Sequence, residues 1–148
     1  MLNKLRSLCD VNFLIAICYD GHEHHEMAQR WLKTKQSAKS ILICRAAHLS
    51  LLRLINNPAV MGRDVRTVRQ AWRISDRLFD DDRFDFVAEP AGIDPVLRQF
   101  TSGAAAFTLK VWQDAYLAAF AIKADLSFVT FDAGFSRFKE LSLNLLLT

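Results

Sequence analysis

Three aspartates in this sequence stand where apolar segments begin or end. Asp10 interrupts "SLCDVNFLIAICY", Asp114 lies near the start of "WQDAYLAAFA", and Asp132 follows "SFVTF". Carboxylates that are brought together repel one another, and partial removal from water increases that cost. A divalent cation relieves the repulsion, and hard oxygen ligands suit Mg²⁺ or Mn²⁺ better than Zn²⁺. Such a site would suit phosphodiester chemistry, in which the metal activates a water and stabilises charge on the phosphate.

Each of these aspartates also has a purely structural explanation. Asp10 can cap a following helix, Asp114 can interact with the dipole of its own helix, and Asp132 can be a turn residue before Gly134. Their joint occurrence favours a site. Two of the carboxylates end buried strands, and the third opens the helix that leads into the last of those strands.

The order of strands and helices decides whether the three side chains can meet. Apolar runs predict strands at 6–10, 40–44, 84–90, 127–131 and 143–147. Helical spacing predicts helices at 12–19, 22–34, 47–57, 64–82, 94–101 and 112–125. This alternation predicts an α/β fold with a parallel sheet flanked by helices on both faces. Right-handed crossovers place the carboxyl ends of all strands at one edge, where ligands bind, so Asp10 and Asp132 should share a crevice.

Length and composition predict one ordinary globular domain that covers residues 1–148. Hydrophobic residues make up 51% of the chain and charged residues 24%, which is the balance of a soluble protein. No apolar run reaches the roughly 20 residues that cross a bilayer, and "MLNKLRSLCDVN" does not have the pattern of a signal peptide. The three scattered cysteines, Cys9, Cys18 and Cys44, suit reduced, buried thiols. A cytoplasmic location follows as the expectation.

Two other groups of residues have possible functions. His22, His24 and His25 in "HEHH" lack further zinc ligands at the usual spacing, so they are expected to form the polar start of an amphipathic helix. The segment 64–82 has a predicted buried face and several arginines outside it. We expect most of the arginines to form a solvated, salt-bridged surface, and the alternative is an electrostatic guide for RNA phosphates. The predicted face comprises Val65, Val68, Ala71, Trp72, Ser75 and Leu78, and the arginines are Arg63, Arg66, Arg69, Arg73 and Arg77.

Five blocks in the same order give the sequence a family resemblance. They are "LCDVNFLIA" (8–16), "CRAAHLSLLRLINNPAVMG" (44–62), "EP" (89–90), "WQDAYLAAFA" (112–121) and "VTFDAGF" (129–135). The chain resembles the PIN-domain ribonucleases, and most closely the VapC toxins of bacterial toxin–antitoxin pairs. The resemblance implies a PIN-like fold and a Mg²⁺- or Mn²⁺-dependent endoribonuclease that cleaves structured RNA such as tRNA or rRNA. It also implies a VapB-type antitoxin and a homodimer.

The resemblance also assigns roles to individual residues. It implies that Asp10, Asp114 and Asp132 bind the metal, and that Asn12 and Thr130 are polar neighbours that orient them. PIN domains commonly place a glutamate on the helix after the second strand, and the matching position here is taken to be His48. An imidazole there predicts weak binding of a second metal. We hypothesise that His48 approaches the RNA phosphate or a water in the site.

Two other functional classes also use a fold of this kind. A non-catalytic module that binds RNA or a partner would keep the fold, and the missing glutamate favours it. A phosphate-accepting receiver domain also uses acids at strand ends, but it needs an acidic pair at the first strand and a lysine after the last. The segments "SLCDVN" and "LNLLLT" contain neither, which excludes the receiver domain.

Overall fold

A five-stranded parallel sheet forms the centre of the computed structural model, which describes residues 5–103 and 109–147. Its strands, in the spatial order β3-β2-β1-β4-β5, are β1 (Ser7–Cys9), β2 (Ile41–Ile43), β3 (Phe84–Phe86), β4 (Ser127–Thr130) and β5 (Leu143–Leu145). The central strand β1 has Ser7 opposite Ile41 on one side and Ser127 on the other. β1, β2 and β4 are buried along their whole length, as expected for parallel strands covered on both faces. The predicted parallel α/β sheet is confirmed.

Helices flank the sheet on both faces, and their apolar sides supply most of the core. They are α1 (Val11–Cys18), α2 (His25–Leu32), α3 (Arg45–Ile55), α4 (Pro58–Met61), α5 (Val68–Asp80), α6 (Ile93–Thr101) and α7 (Val111–Lys123). α1 packs on α2 and α3, α3 packs on α5, and α7 packs on both α6 and β4. α7 is apolar almost all round and largely buried, so its N-terminal turn is held firmly beside the end of β4.

The predicted helix at 64–82 begins later than its periodicity suggested. It starts at Val68 because Thr67 and Gln70 form a capping box, each side chain bonding to the other's backbone N–H. Val68 and Trp72, expected on the buried face, are 65% and 51% exposed. The predicted buried face is confirmed for Ala71, Ser75 and Leu78.

Three other expectations can be compared with the described residues. The predicted strand 84–90 is shorter, since β3 ends at Phe86. All three cysteines are free thiols, and Cys9 and Cys44 are buried. Within residues 5–103 and 109–147, none of the helices is long and apolar enough to cross a membrane. The first four residues, which belong to the segment judged not to be a signal peptide, lie outside the described part.

Candidate active site

Asp10 joins the end of β1 to the start of α1. Its Oδ1 accepts a hydrogen bond from the Val11 backbone N–H at 2.7 Å, and its Oδ2 accepts one from the Thr130 hydroxyl at 2.7 Å. Burial of the carboxyl group raises the pKa of Asp10 to about 6, and the charges of Asp114 and Asp132 contribute to the rise. Asp10 therefore caps a helix and also belongs to an acidic group.

Thr130, the last residue of β4, connects the elements of this crevice. Its hydroxyl donates to Asp10 and accepts hydrogen bonds from the Asp132 backbone N–H at 2.9 Å and the Asn12 side-chain amide at 3.1 Å. The Asn12 carbonyl oxygen in turn accepts from the Phe131 backbone N–H at 3.2 Å. Thr130 is fully buried, so these bonds are shielded from water. They fix the backbone that carries Asp132 relative to Asp10.

Asp132 opens the short 3₁₀ turn Ala133–Arg137 beyond β4. Its Oδ1 accepts from the Gly134 backbone N–H at 2.8 Å, and its Oδ2 lies 3.3 Å from the Lys110 ammonium nitrogen. The Gly134 hydrogen bond, followed by the interaction with Lys110, lowers the pKa of Asp132 below its ordinary value. A side chain at position 134 would bring its Cβ within 3.0 Å of Asp132 Oδ1, so glycine leaves room for this carboxylate.

Asp114 reaches the same crevice from the N-terminal part of α7. Its carboxylate oxygen lies 3.4 Å from a guanidinium nitrogen of Arg137, which also donates to the Gly134 carbonyl at 2.7 Å and lies over the Phe138 ring. Burial raises the pKa of Asp114, while the positive charges of Lys110 and Arg137 act against that rise. Arg137 therefore links the turn that presents Asp132 to the helix that presents Asp114.

The electrostatics indicate that the three aspartates act on one another. Asp132 raises the pKa of both Asp10 and Asp114, and Lys110 is influenced by all three carboxylates. Hard carboxylate oxygens of this kind suit Mg²⁺ or Mn²⁺. Nowhere in the described residues are three His, Cys, Asp or Glu side chains already gathered as a closed metal site, so the aspartates would have to draw together on an ion. By donor chemistry they fit a divalent cation.

The structure corrects the expected place of His48. This residue is only 1% exposed, and its ring faces α5, with Nε2 2.9 Å from the Ser75 hydroxyl. A guanidinium nitrogen of Arg45 donates to Nδ1 at 3.0 Å, and the Phe86 ring packs edge-on at 5.0 Å. Burial and the charge of Arg45 lower the pKa of His48. Both ring nitrogens are thus engaged within the protein, away from the three aspartates.

Ser50 lies on the side of α3 that borders the outer continuation of the crevice. Residues two apart on a helix point about 200° apart, so Ser50 lies on the opposite side of α3 from His48. Its hydroxyl accepts a hydrogen bond from Arg53 at 3.1 Å and lies 3.5 Å from the side-chain amide of Gln113, the neighbour of Asp114. A hydroxyl, and not an acid, therefore occupies this wall of the site.

The histidines of the "HEHH" segment do not form a metal site among the described residues. His25 places Nδ1 2.7 Å from the Ala16 carbonyl oxygen, and His22 accepts a hydrogen bond from the His24 backbone. The His24 ring stacks on Phe131 with 4.5 Å between the ring centroids. α2 begins at His25, three residues later than the helix predicted at 22–34, so only His25 of the three histidines lies within it. His24 covers Phe131, the residue beside Asp132.

The arginines around α5 do not form the salt-bridged surface that the sequence predicts. In residues 5–103 and 109–147, no carboxylate pairs with any member of the set Arg63, Arg66, Arg69, Arg73 and Arg77. Three of them, Arg66, Arg73 and Arg77, line a cavity of about 430 Å³ together with Ile15 and Ile74. This cavity contains none of the three aspartates.

Four residues near the site were not identified from the sequence alone. Lys110 precedes Asp114 by four positions, and this helical spacing brings side chains together. The spacing alone could therefore have indicated that Lys110 lies near Asp114. Gln113 and Ser50 required the packing of α7 against α3 to be known. No sequence pattern indicated that Arg137 would turn back towards Asp114.

Comparisons with known proteins agree with the fold. Residues 7–141 match the family model described as PIN domain. The chain is 39% identical over 143 residues to Ribonuclease VapC41 of Mycobacterium tuberculosis, with 94% of this chain and 97% of that protein covered. The fold is similar to that in the crystal structure of Rickettsia felis VapBC2 bound to a promoter DNA fragment, with a TM-score of 0.67, 13% identity and coverage of 95% and 98%. It is also similar to Mycobacterium tuberculosis VapC20, a sarcin–ricin loop cleaving toxin, with a TM-score of 0.62, 16% identity and coverage of 92% and 97%.

Proposed function

Because the chain belongs to the PIN-domain family, we propose that it is a divalent-metal-dependent endoribonuclease and the toxin of a VapBC-type toxin–antitoxin pair. The observation that carries this proposal is that Asp10 and Asp114 line one crevice at the edge of the parallel sheet, while Thr130 bonds both to Asp10 and to the backbone of Asp132. The proposed active unit is one PIN-like domain, acting in the cytoplasm.

The three aspartates would hold Mg²⁺ or Mn²⁺. When bound, such an ion stabilises negative charge on a phosphodiester and lowers the pKa of water. Asp10 must lose its proton to serve as a ligand, and the hydrogen bonds from Val11 and Thr130 stabilise its ionised form. Asn12 holds Thr130 in place from the first turn of α1.

Lys110 gives the crevice an exposed positive charge. Its side chain is 72% exposed, and its ammonium group is 3.3 Å from Asp132. If Asp132 also bound a divalent ion, its charge would be shared with that ion, and the Lys110 ammonium group would be available to an RNA phosphate. We therefore assign Lys110 a role in binding substrate phosphate, in addition to balancing charge.

The proposed substrate is a structured RNA such as tRNA or rRNA. VapC20, which shares the fold, is described as a sarcin–ricin loop cleaving toxin, and this supports the RNA class without identifying the target here. The VapBC complexes among the structural neighbours support a VapB-type antitoxin as partner. A homodimer is proposed on the family resemblance.

A non-catalytic PIN-fold module that binds RNA or a partner is the second candidate. The observation that favours it is the missing glutamate on α3, because His48, at the position matched to that glutamate, bonds to Arg45 and Ser75 instead. With three carboxylates remaining, one divalent ion can still be held, and we therefore prefer the catalytic function.

Metal removal and one substitution test the proposed function. Purified protein should cleave RNA with Mg²⁺ or Mn²⁺ and stop when EDTA is added. Asp114→Asn should reduce cleavage by roughly a hundredfold or more, because it removes a ligand charge, with little change in the melting temperature. Cleavage is measured on total tRNA and rRNA by gel electrophoresis.

Asp94→Asn is the matched control, since Asp94 also lies in the first turn of a helix but is exposed and paired with Arg98. It should cleave as the wild type does. Cleavage that continues unchanged in EDTA, or an active Asp114→Asn variant, would contradict the proposal.

A further inference from the structure

A groove between α1, α3 and α7 continues from the acidic crevice along the protein surface. Its inner part, about 400 Å³, is lined by residues that include Asp10, Asp114 and Lys110. Its outer part, about 410 Å³, extends to Arg53 and Asn57. The two parts share the lining residues Val11, Leu54 and Gln113, so they form one channel.

Polar side chains follow one another along the outer part. Arg53 donates to the Ser50 hydroxyl at 3.1 Å, and the Gln113 amide lies 3.5 Å from the same oxygen. Arg53 and Gln113 are both exposed, whereas Ser50 is buried at 9% exposure. Ser50 therefore fixes the two longer side chains against the groove, and their remaining N–H donors face solvent.

The charges along the groove alternate in a way that suits a phosphodiester chain. The inner part contains the carboxylates of Asp10 and Asp114, which attract a cation. The outer part contains the guanidinium of Arg53, which has no ion-paired carboxylate in the described residues. Planar guanidinium groups bind phosphate through paired hydrogen bonds. The apolar wall of Val11 and Leu54 leaves room for the sugar and base between neighbouring phosphates.

We infer that the outer groove is a binding subsite for the RNA strand, in which Arg53 and Gln113 contact a phosphate adjacent to the one that is cut. This inference rests on the proposed nuclease function and adds the path of the substrate. The subsite lies on the side of α3 that carries Ser50 and no acidic residue. A hydroxyl at position 50 therefore suits phosphate binding, where a carboxylate would repel the strand.

Binding of RNA without cleavage tests the inference. The probe is a short, fluorescein-labelled, mixed-sequence single-stranded RNA, measured by fluorescence anisotropy in EDTA over a range of salt concentrations. Arg53→Gln should weaken binding roughly tenfold, as expected for loss of a hydrogen bond to a charged group. The slope of log affinity against log salt should fall by about 0.7, the value for one phosphate contact on a single strand.

Arg98→Gln is the matched control, because it removes the same charge from an exposed position on α6. It should keep the wild-type salt slope. Gln113→Glu tests the subsite independently with a residue of equal size, and it should also weaken RNA binding. The inference would be overturned if Arg53→Gln gave the same binding curve and salt slope as Arg98→Gln. It would also be overturned if Gln113→Glu bound RNA with wild-type affinity.

The assay separates this inference from the proposed function. Since EDTA prevents metal-dependent cleavage, RNA binding is measured whether or not the protein is a nuclease. Loss of cleavage activity in the wild type would overturn the nuclease proposal alone. An unchanged salt slope for Arg53→Gln would overturn the subsite alone.

Discussion

Thr130 determines how accurately the carboxylates of the crevice are placed. Its buried hydroxyl meets Asp10 and Asn12 at the start of α1 and the backbone of Asp132 beyond β4. Loss of this one oxygen would leave the Asp132 N–H, the Asn12 amide and an Asp10 oxygen without a partner. Buried polar groups without partners are costly, so this position is sensitive to small changes.

The first prediction is therefore for Thr130→Val, which keeps the shape of the side chain and removes the hydroxyl. We expect a loss of about 2 kcal/mol in the free energy of unfolding, measured by urea denaturation. The Mn²⁺ concentration for half-maximal cleavage should rise roughly tenfold, because the ligands lose their orientation. Thr130→Ser keeps the oxygen and should stay close to wild type. Equal effects of both substitutions would show that packing, and not the hydroxyl, matters.

Residue types and spacing predicted the acidic group but only part of its surroundings. Asp10 and Asp132 could be placed from their positions at the ends of apolar strands, because the edge of a parallel sheet is common to all its strands. Arg137 could not be placed from the sequence, because its approach to Asp114 depends on the conformation of a 3₁₀ turn.

α3 has two sides with different environments, and this explains the incorrect placement of His48. The sequence locates the helix, but it does not show which side meets α5 and which side meets α7. In the structure the His48 side packs on α5, and the Ser50 side borders the groove. Two residues that are nearly adjacent in sequence are thus separated by the thickness of the helix.

A pair of substitutions on α3 makes this difference measurable. At saturating RNA, which offsets weaker binding of the strand, Ser50→Glu should add a carboxylate beside the crevice and lower the Mn²⁺ concentration for half-maximal cleavage roughly three- to tenfold. His48→Glu should leave the Mn²⁺ dependence of the folded protein unchanged and reduce its stability, since it buries a charge beside Phe86 and Ser75. Cleavage is followed during Mn²⁺ titration, with melting temperatures recorded for both variants. If His48→Glu alone shifted the Mn²⁺ concentration for half-maximal cleavage, His48 would belong to the site.

At the scale of the whole molecule, metal binding and folding should be coupled through Asp10. The pKa of this carboxyl group is about 6 in the folded protein and near 3.8 when exposed. Between these values the folded state holds a proton that the unfolded state has released. The free energy of unfolding of the metal-free protein therefore falls as the pH rises from about 3.8 to about 6, because the carboxylate becomes ionised while buried. Above pH 6 this loss of stability is complete.

A divalent ion competes with that proton, which gives a prediction for the melting temperature. At pH 7.5, Mn²⁺ at a hundredfold excess over its Kd should raise the melting temperature by about 5 to 10 °C. At pH 5 the same Mn²⁺ concentration should give a shift about half as large, because Asp10 is mostly protonated. Differential scanning fluorimetry with and without Mn²⁺ measures both values, and Asp114→Asn should show a small shift at either pH. An equal Mn²⁺ shift at pH 5 and pH 7.5 would contradict the assignment of Asp10.

The sheet was predictable from sequence because its strands are short apolar runs between amphipathic segments. Tertiary contacts decided the remaining details. The capping box at Thr67 moved the start of α5, and Trp72 remained exposed although its spacing fitted the buried face. Apolar periodicity records which residues can be buried, but it does not show how much surface the neighbouring elements cover.

The pairing of β1 with β4 has a consequence for protein synthesis. Thr130 and Asp10 touch although they are 120 positions apart, so the crevice requires the C-terminal part of the chain. At ordinary rates of translation, roughly 6 to 24 s separate the synthesis of its first and last components. A ribosome carrying this chain therefore holds an incomplete site until the segment that contains Thr130 and Asp132 has been made. A cell that makes the protein is exposed to the proposed activity only after that segment has joined β1.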